Sequence, residues 1–205
     1  MLEDLLVQLL NHGIAPLPQS VAFATDWDLH YRYVPWNLDG SVYDRDYFEL
    51  SDPKVHPRPA VELEIPQLTD RNVEEYRTSL VHLLRLPHLY ETEMLRALCT
   101  YTFGQGDSGR GFELAKQMAE RADQNPYTPA DFIRRSCYPE AVVIHDVGEN
   151  GFKYLTCYFH CAWDEEHGAS VIQLAGKSLL ATAAGTFAGR SGQNLRDTLA
   201  YELRQ

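Results

Sequence analysis

Four consecutive polar residues carry the side chains in this chain that are best suited to chemistry. They lie between Trp163 and Gly168 and are Asp164, Glu165, Glu166 and His167. Carboxylates beside a histidine could perform general acid–base catalysis. Consecutive residues of a turn point in different directions, however, and the sequence places no nucleophile, oxyanion-hole donor or phosphate loop beside them. We therefore assign no catalytic residue and interpret residues 163–168 as a structural turn or an interface.

Turn formation alone explains the composition of this motif. Asp164 can accept hydrogen bonds from backbone amides two residues on, and His167 can pair with Glu165. Gly168 can take the positive φ that starts a return strand. General acid–base catalysis by the four polar residues remains the alternative.

A group of three possible metal ligands, Cys157, His160 and Cys161, precedes the motif. Zinc needs ligands that converge at about 2.0–2.3 Å, whereas His160 on a strand faces away from the two thiols. At ~3.3 Å per residue, Cys157 and Cys161 lie about 13 Å apart, which excludes a disulfide between them. We predict no metal, no cofactor and reduced cysteines, as in a cytosolic protein.

The letters of a dinucleotide-binding fingerprint occur at residues 104–109. That mechanism requires a strand before the glycines and a helix after them. The pattern from Tyr90 onward is helical instead, and Asp107 would repel a phosphate. The segment is interpreted as a loop between two helices, with Gly104 ending the first.

A strand from Phe152 to Ala162 must position the polar motif, because its residues alternate in character. One side is apolar and contains Leu155, Cys157, Phe159, Cys161 and Trp163. The other side, with Tyr154, Thr156, Tyr158 and His160, predicts a wetter aromatic face. The apolar residues at 171, 172 and 174 predict a return strand, which makes residues 163–168 the charged tip of a hairpin.

The order of the other elements predicts an α+β protein with an antiparallel sheet. Helices are inserted between an N-terminal β-rich part and the C-terminal β-hairpin. A leucine repeat over residues 2–9 predicts a short first helix, and residues 20–65 read as strands with long connections. Further helices are predicted near 70–85, 88–103, 112–122 and from Pro129, capped by Thr128. Strands are predicted at Ala141–His145 and Ser178–Ala183.

Residues 1–187 are predicted to form one α+β domain. The tail, residues 188–205, is either a short helix that buries Leu195, Leu199 and Leu203 or a frayed end.

The charge balance points to the class of partner. The chain has 29 acidic and 18 basic residues, a formal net charge of −11. Such a surface repels nucleic acid and anionic membranes and attracts basic proteins. Glu3 and Asp4 replace the basic start of a secretory signal, and no apolar run approaches the ~18 residues of a membrane helix. We expect a cytoplasmic protein that binds another protein, with no nucleic acid and no membrane.

Three motifs resemble an uncharacterised bacterial family of α+β domains of unknown function. They are the helical segment Ala97-Leu98-Cys99-Thr100-Tyr101, the short helix Ala130–Ile133 before a strand, and the hairpin end from Phe159 through the letters WDEEHG to Val171. The resemblance is strongest over residues 69–187. The chain departs from the family at Ala169-Ser170, where a Leu-Gly pair is usual, and after Leu180. The resemblance implies a role as an immunity protein of a polymorphic toxin system, with no established catalytic residues.

These observations predict a non-enzymatic protein-binding domain. In its most specific form, the prediction is that the domain neutralises a toxin with a basic active site. A hydrolase-like enzyme that uses the acidic and histidine side chains of the hairpin tip is the alternative, and a housekeeping structural module is a third possibility.

Overall fold

The computed structural model describes residues 20–23, 61–64, 73–104, 112–113, 115–116, 128–161, 163–164 and 167–204. Four α-helices have both ends within these residues: α1 (Val73–Arg85), α2 (Pro87–Phe103), α3 (Pro129–Ser136) and α4 (Gly192–Glu202). A short 3-10 helix covers Ala184–Thr186. Six strands accompany them: β1 (Ser20–Phe23), β2 (Val61–Glu64), β3 (Cys137–Glu149), β4 (Phe152–Cys161), β5 (Ala169–Leu174) and β6 (Lys177–Thr182). The predicted α+β class is confirmed, and α1 to α3 lie between the N-terminal strands and the C-terminal hairpin as expected.

The six strands form one sheet in the order β1-β2-β3-β4-β5-β6. Strands β3 to β6 form an antiparallel meander, and β1 pairs antiparallel with β2. The pair β2–β3 is parallel, with Leu63 opposite Val142. Parallel neighbours need a long crossover, and the segment that contains α1, α2 and α3 supplies it. The sequence pattern did not predict this one parallel pairing.

Helices cover both faces of the sheet. The larger core joins α1, α2 and α3 to one face and includes Tyr76, Leu80, Met94, Leu98, Ile133 and Phe159. On the other face, Leu195 and Leu199 of α4 pack with Tyr154, Ile172 and Phe187. The tail is therefore a helix, the first of the two alternatives. Leu203, predicted to share its buried face, is 54% exposed, because α4 ends one residue before it.

The helix on the second face corrects one prediction about β4. Its aromatic side was expected to be wet, yet Tyr154 and Thr156 are buried. Tyr158 and His160, at the end of the strand nearer the tip, are partly exposed. The alternation of β4 gave the two faces correctly, but the apolar stripe that covers the second face lies forty residues further along the chain.

Local signals explain where the elements begin and end. Thr128 Oγ1 accepts a hydrogen bond from the Asp131 amide at 3.2 Å and caps α3, as predicted. Helix α2 ends before Gly104, whose amide bonds to the Thr100 carbonyl. The turn between β3 and β4 has φ of +54° at Asn150 and +80° at Gly151, the conformation that makes Asn-Gly typical of tight hairpins.

Several predicted features lie outside the described residues: the helix at residues 2–9, the strands between 24 and 60, the glycines of the loop at residues 105–109 and most of the helix predicted at residues 112–122. Of the last, Glu113, Ala115 and Lys116 are helical. In the described part of the chain, no helix combines the length and the apolarity that crossing a membrane requires.

Candidate functional site

The hairpin tip, residues 163–168, follows β4 directly and is held by two backbone hydrogen bonds. The Asp164 amide donates to the Cys161 carbonyl at 3.2 Å, and the Gly168 amide donates to the Asp164 carbonyl at 2.8 Å. Strand β5 then begins at Ala169, opposite Phe159 of β4. The tip is thus the connection of a hairpin, as the sequence predicted.

The Asp164 carboxylate organises the described part of the tip. Its Oδ1 atom accepts the His167 amide at 3.3 Å and lies 3.0 Å from Nδ1 of the same residue. The Asp164 side chain is only 16% exposed, whereas the His167 side chain is 60% exposed. The carboxylate therefore points into the turn and the imidazole points outward.

Asp164, three residues before His167, is the partner of that histidine among the described residues. The predicted pair of His167 with Glu165 lies outside the described residues, as does the amide two residues after Asp164. The amide that Asp164 accepts in the described part of the tip is the one three residues on.

Trp163 anchors the tip to the helices. Its side chain is 4% exposed and packs against Phe132 of α3, with ring centroids 5.4 Å apart. Phe132 in turn meets the edge of Phe103 in α2 at 5.5 Å. A chain of aromatic contacts therefore joins the base of the tip to helices α2 and α3.

Gly168 has the positive φ that the sequence predicted, +59°. A Cβ atom at this position would lie 2.4 Å from the Phe159 carbonyl oxygen. Both the backbone conformation and the close approach of β4 therefore require glycine here.

A second pair of a histidine and a carboxylate lies at the same end of the sheet. His160 Nε2 of β4 is 3.2 Å from Glu140 Oε2 of β3, and both side chains are at least one-third exposed. Glu140 occupies an irregularity in the register between Pro139 and Ala141. Glu140 was not predicted as a site residue, because the register of β3 against β4, including this bulge, is what brings it to His160.

The cysteine and histidine side chains before the tip do not converge on a metal position. Cys157 and Cys161 are buried on the face that packs against the helices, and His160 faces the other side, as the alternation indicated. Burial raises the pKa of both thiols well above its ordinary value. Among the described residues, no three His, Cys, Asp or Glu side chains form a group that could hold a metal ion.

A comparison with protein families decides the kinship of the chain. Residues 60–186, more than half of the chain, match a domain of unknown function, DUF6985. The chain belongs to this family. The matched segment of DUF6985 begins at β2 and ends after β6, so it contains the whole β3–β6 meander, the tip and helices α1 to α3. Helix α4, which covers the second face, lies beyond it.

Comparisons with curated proteins and with solved structures give no match. The description of the DUF6985 family names no activity.

Proposed function

We propose that this DUF6985 protein is a non-enzymatic, cytosolic binding domain whose partner is a basic protein, and that the partner is a toxin domain which it neutralises. The observation that carries the proposal is the hairpin tip, whose base is buried and whose sequence is acidic. Trp163 packs against the helices, Asp164 holds the His167 amide and ring, and His167 is exposed. A turn that is held in place before binding loses less conformational entropy on binding than a free loop does.

Charge supports the choice of a basic partner. The tip carries three carboxylates in sequence, and the Glu140–His160 pair adds a fourth at the same end of the sheet. The acidic excess of the chain is also unevenly distributed, since residues 1–70 contain twelve acidic and four basic residues. Complementary charge accelerates association and selects against nucleic acid.

Aromatic residues support a protein partner rather than a small cation. Residues 21–50 contain eight aromatic side chains among six acidic ones. Tyr and Trp beside acidic residues are typical of protein interfaces, where they contribute most of the binding energy.

The test is affinity capture from the source cell, followed by binding kinetics at two salt concentrations. Because the Debye length is about 8 Å at physiological ionic strength, higher salt should slow association more than it speeds dissociation. A double substitution, Glu165→Gln with Glu166→Gln, should slow association in the same way. Asp197→Asn is the matched control, since Asp197 is exposed on α4, which packs at the opposite end of β3, and should leave the rate unchanged.

Capture of a basic protein whose toxic activity is blocked would support the proposal that the partner is a toxin domain. Recovery of RNA or DNA as the main ligand would contradict it. Equal effects of the tip variant and the Asp197 variant would show that the tip is not part of the interface.

One observation favours the enzyme alternative. Asp164 holds Nδ1 of an exposed imidazole, which is the arrangement that orients a histidine general base. Against it, the nearby thiol of Cys161 is buried, and the Ser170 hydroxyl donates to the Ala183 carbonyl at 3.2 Å. If a small-molecule turnover is detected that His167→Gln abolishes and Asp197→Asn does not, the enzyme alternative replaces the binding proposal.

A further inference from the structure

Two of the four cysteines are direct neighbours across a strand pair. Cys137 is the first residue of β3 and Cys161 the last residue of β4, and the register places them opposite each other. Their exposed fractions are 0% and 3%, and both belong to the core beneath helices α1 to α3. Their side chains therefore lie on the same face of the sheet.

The hydrogen bonds around this pair identify its geometry. The Cys137 amide donates to the Ile133 carbonyl at the end of α3, and the Cys161 carbonyl accepts the Asp164 amide. Two residues further along, Pro139 lies opposite Phe159 and has no amide hydrogen to donate. Pairs two residues apart are of the same type, so Cys137 and Cys161 form a non-hydrogen-bonded pair.

In such a pair the Cα atoms are about 4.5 Å apart and the side chains approach most closely. Disulfides span Cα distances of about 4.4–6.8 Å. We infer that Cys137 and Cys161 are a disulfide-forming pair, which closes at the base of the hairpin tip when a small-molecule disulfide oxidises the protein. The bond joins the end of α3 to the residue whose carbonyl holds Asp164.

The chemistry is thiol–disulfide exchange with a low-molecular-weight disulfide such as glutathione disulfide. One cysteine loses its proton and attacks the glutathione disulfide, which releases one glutathione thiol and leaves a mixed disulfide. The second cysteine loses its proton and attacks the protein sulfur of that bond, which releases the second glutathione. Two protein thiols are oxidised, one glutathione disulfide is reduced, and the two protons are carried by the two glutathione thiols.

The rate depends on opening of the strand end. Both thiol hydrogens meet backbone carbonyls, Cys137 Sγ to Ile133 at 3.1 Å and Cys161 Sγ to Phe159 at 3.8 Å. Burial raises the pKa of both thiols, so the reactive thiolates form only when this end of the ladder frays. Oxidation should therefore be slow in the folded protein and complete when the chain refolds in the presence of the oxidant.

The other two cysteines provide matched controls. Cys157 lies on the same strand and the same face as Cys161 and is equally buried, but Val142 is its register partner. Cys99 lies on α2 and is partly exposed. Neither has a cysteine directly opposite it in the sheet.

The experiment refolds the purified full chain in glutathione buffers of increasing oxidised fraction, then alkylates the remaining thiols and maps the peptides by mass spectrometry. We expect two of the four thiols to be lost and one linked peptide pair, Cys137 with Cys161. Cys157→Ser and Cys99→Ser should still form the link, whereas Cys137→Ser should retain all three of its thiols. Four alkylated thiols at an excess of glutathione disulfide, or a mapped link from Cys137 to Cys99 or Cys157, would overturn the inference. Because the wild-type map needs no substitution, a variant that fails to fold does not prevent the test.

Discussion

Nε2 of His145 lies 2.7 Å from the Thr156 hydroxyl oxygen, across the β3–β4 pair on the face that α4 covers. The histidine is 2% exposed, and burial lowers its pKa to about 4, against the weaker opposing effects of Asp146 and a hydrogen bond to the backbone of Arg190. The neutral ring therefore links two strands of the sheet to the segment that leads into α4.

This pKa makes stability depend on pH in a defined direction. The unfolded histidine binds a proton below its ordinary pKa of about 6.5, whereas the folded one stays neutral down to about 4. The stability that the neutral His145 ring provides is fully present above pH 6.5. It is lost as the pH falls towards 4, because the unfolded state then binds more protons than the folded state. Between pH 7.5 and 5 the free energy of unfolding should fall by about 2 kcal/mol from this group alone.

Urea denaturation at several pH values would measure the effect. His145→Gln should lower stability at neutral pH and flatten the dependence between pH 7.5 and 5. Identical slopes in wild type and His145→Gln would show that this ring is not the titrating group.

A second prediction concerns Gly168. Alanine here meets both a positive φ and a Cβ position 2.4 Å from the Phe159 carbonyl oxygen. We expect Gly168→Ala to lower the free energy of unfolding by about 2 kcal/mol or more, of which the left-handed backbone alone accounts for about 1 kcal/mol. Gly189 separates the two causes, because it has φ of +66° and open space around its Cβ position. Gly189→Ala should therefore lose only the stability that the left-handed backbone costs. Equal losses of stability for Gly168→Ala and Gly189→Ala in thermal melts would rule out the clash with the Phe159 carbonyl.

The sequence predicted those parts of the fold that depend on local patterns. Alternation identified β4 and its return strand, Thr128 marked the start of α3, and Gly168 marked the end of the tip. What it did not predict depends on contacts between distant residues. The aromatic side of β4 was expected to be solvent-exposed, because the sequence around Tyr154 does not indicate that Leu195 and Leu199 cover this side.

The candidate site follows the same division. The position of the tip and its glycine were predictable, because turn chemistry is local. The Glu140–His160 pair and the Cys137–Cys161 pair were not, since each depends on the register of β3 against β4. A one-residue shift of that register would separate both pairs.

Asp164 should stabilise the tip through its side chain. It accepts the His167 amide and contacts the His167 ring, so Asp164→Ala removes both interactions, and we expect a loss of about 0.5–2 kcal/mol in the free energy of unfolding. His167→Ala removes the ring contact with Asp164 but keeps the amide bond, and it should cost less, because an exposed ion pair contributes little. Thermal melts of the two variants distinguish the contributions, and a larger loss for His167→Ala would show that the ring, not the amide bond, holds the turn.

The last prediction concerns the ion pair that joins α1 to the sheet. The Lys153 ammonium of β4 contacts the Glu75 carboxylate, lies 2.9 Å from the Asp146 carbonyl oxygen and is 5.3 Å from the centre of the Tyr76 ring. The lysine side chain is 5% exposed and the glutamate side chain 48%. Removing the carboxylate leaves a buried cation beside the Asp146 carbonyl and the Tyr76 ring, without a described counter-charge in contact with it, which is costly. Because Glu75 is half in solvent, we expect Glu75→Gln to lower the free energy of unfolding by about 1–2 kcal/mol, less than for a fully buried pair.

Its neighbour Glu74 is the matched control, since it pairs with Arg77 on the helix surface and is 67% exposed. Glu74→Gln should change stability by less than about 0.5 kcal/mol. A double-mutant cycle then isolates the pair: in a Lys153→Met background, Glu75→Gln should cost almost nothing, because the uncompensated cation is gone. Urea denaturation of the four proteins measures each step. If Glu75→Gln costs the same with and without Lys153, the carboxylate stabilises α1 in some way other than through this ion pair.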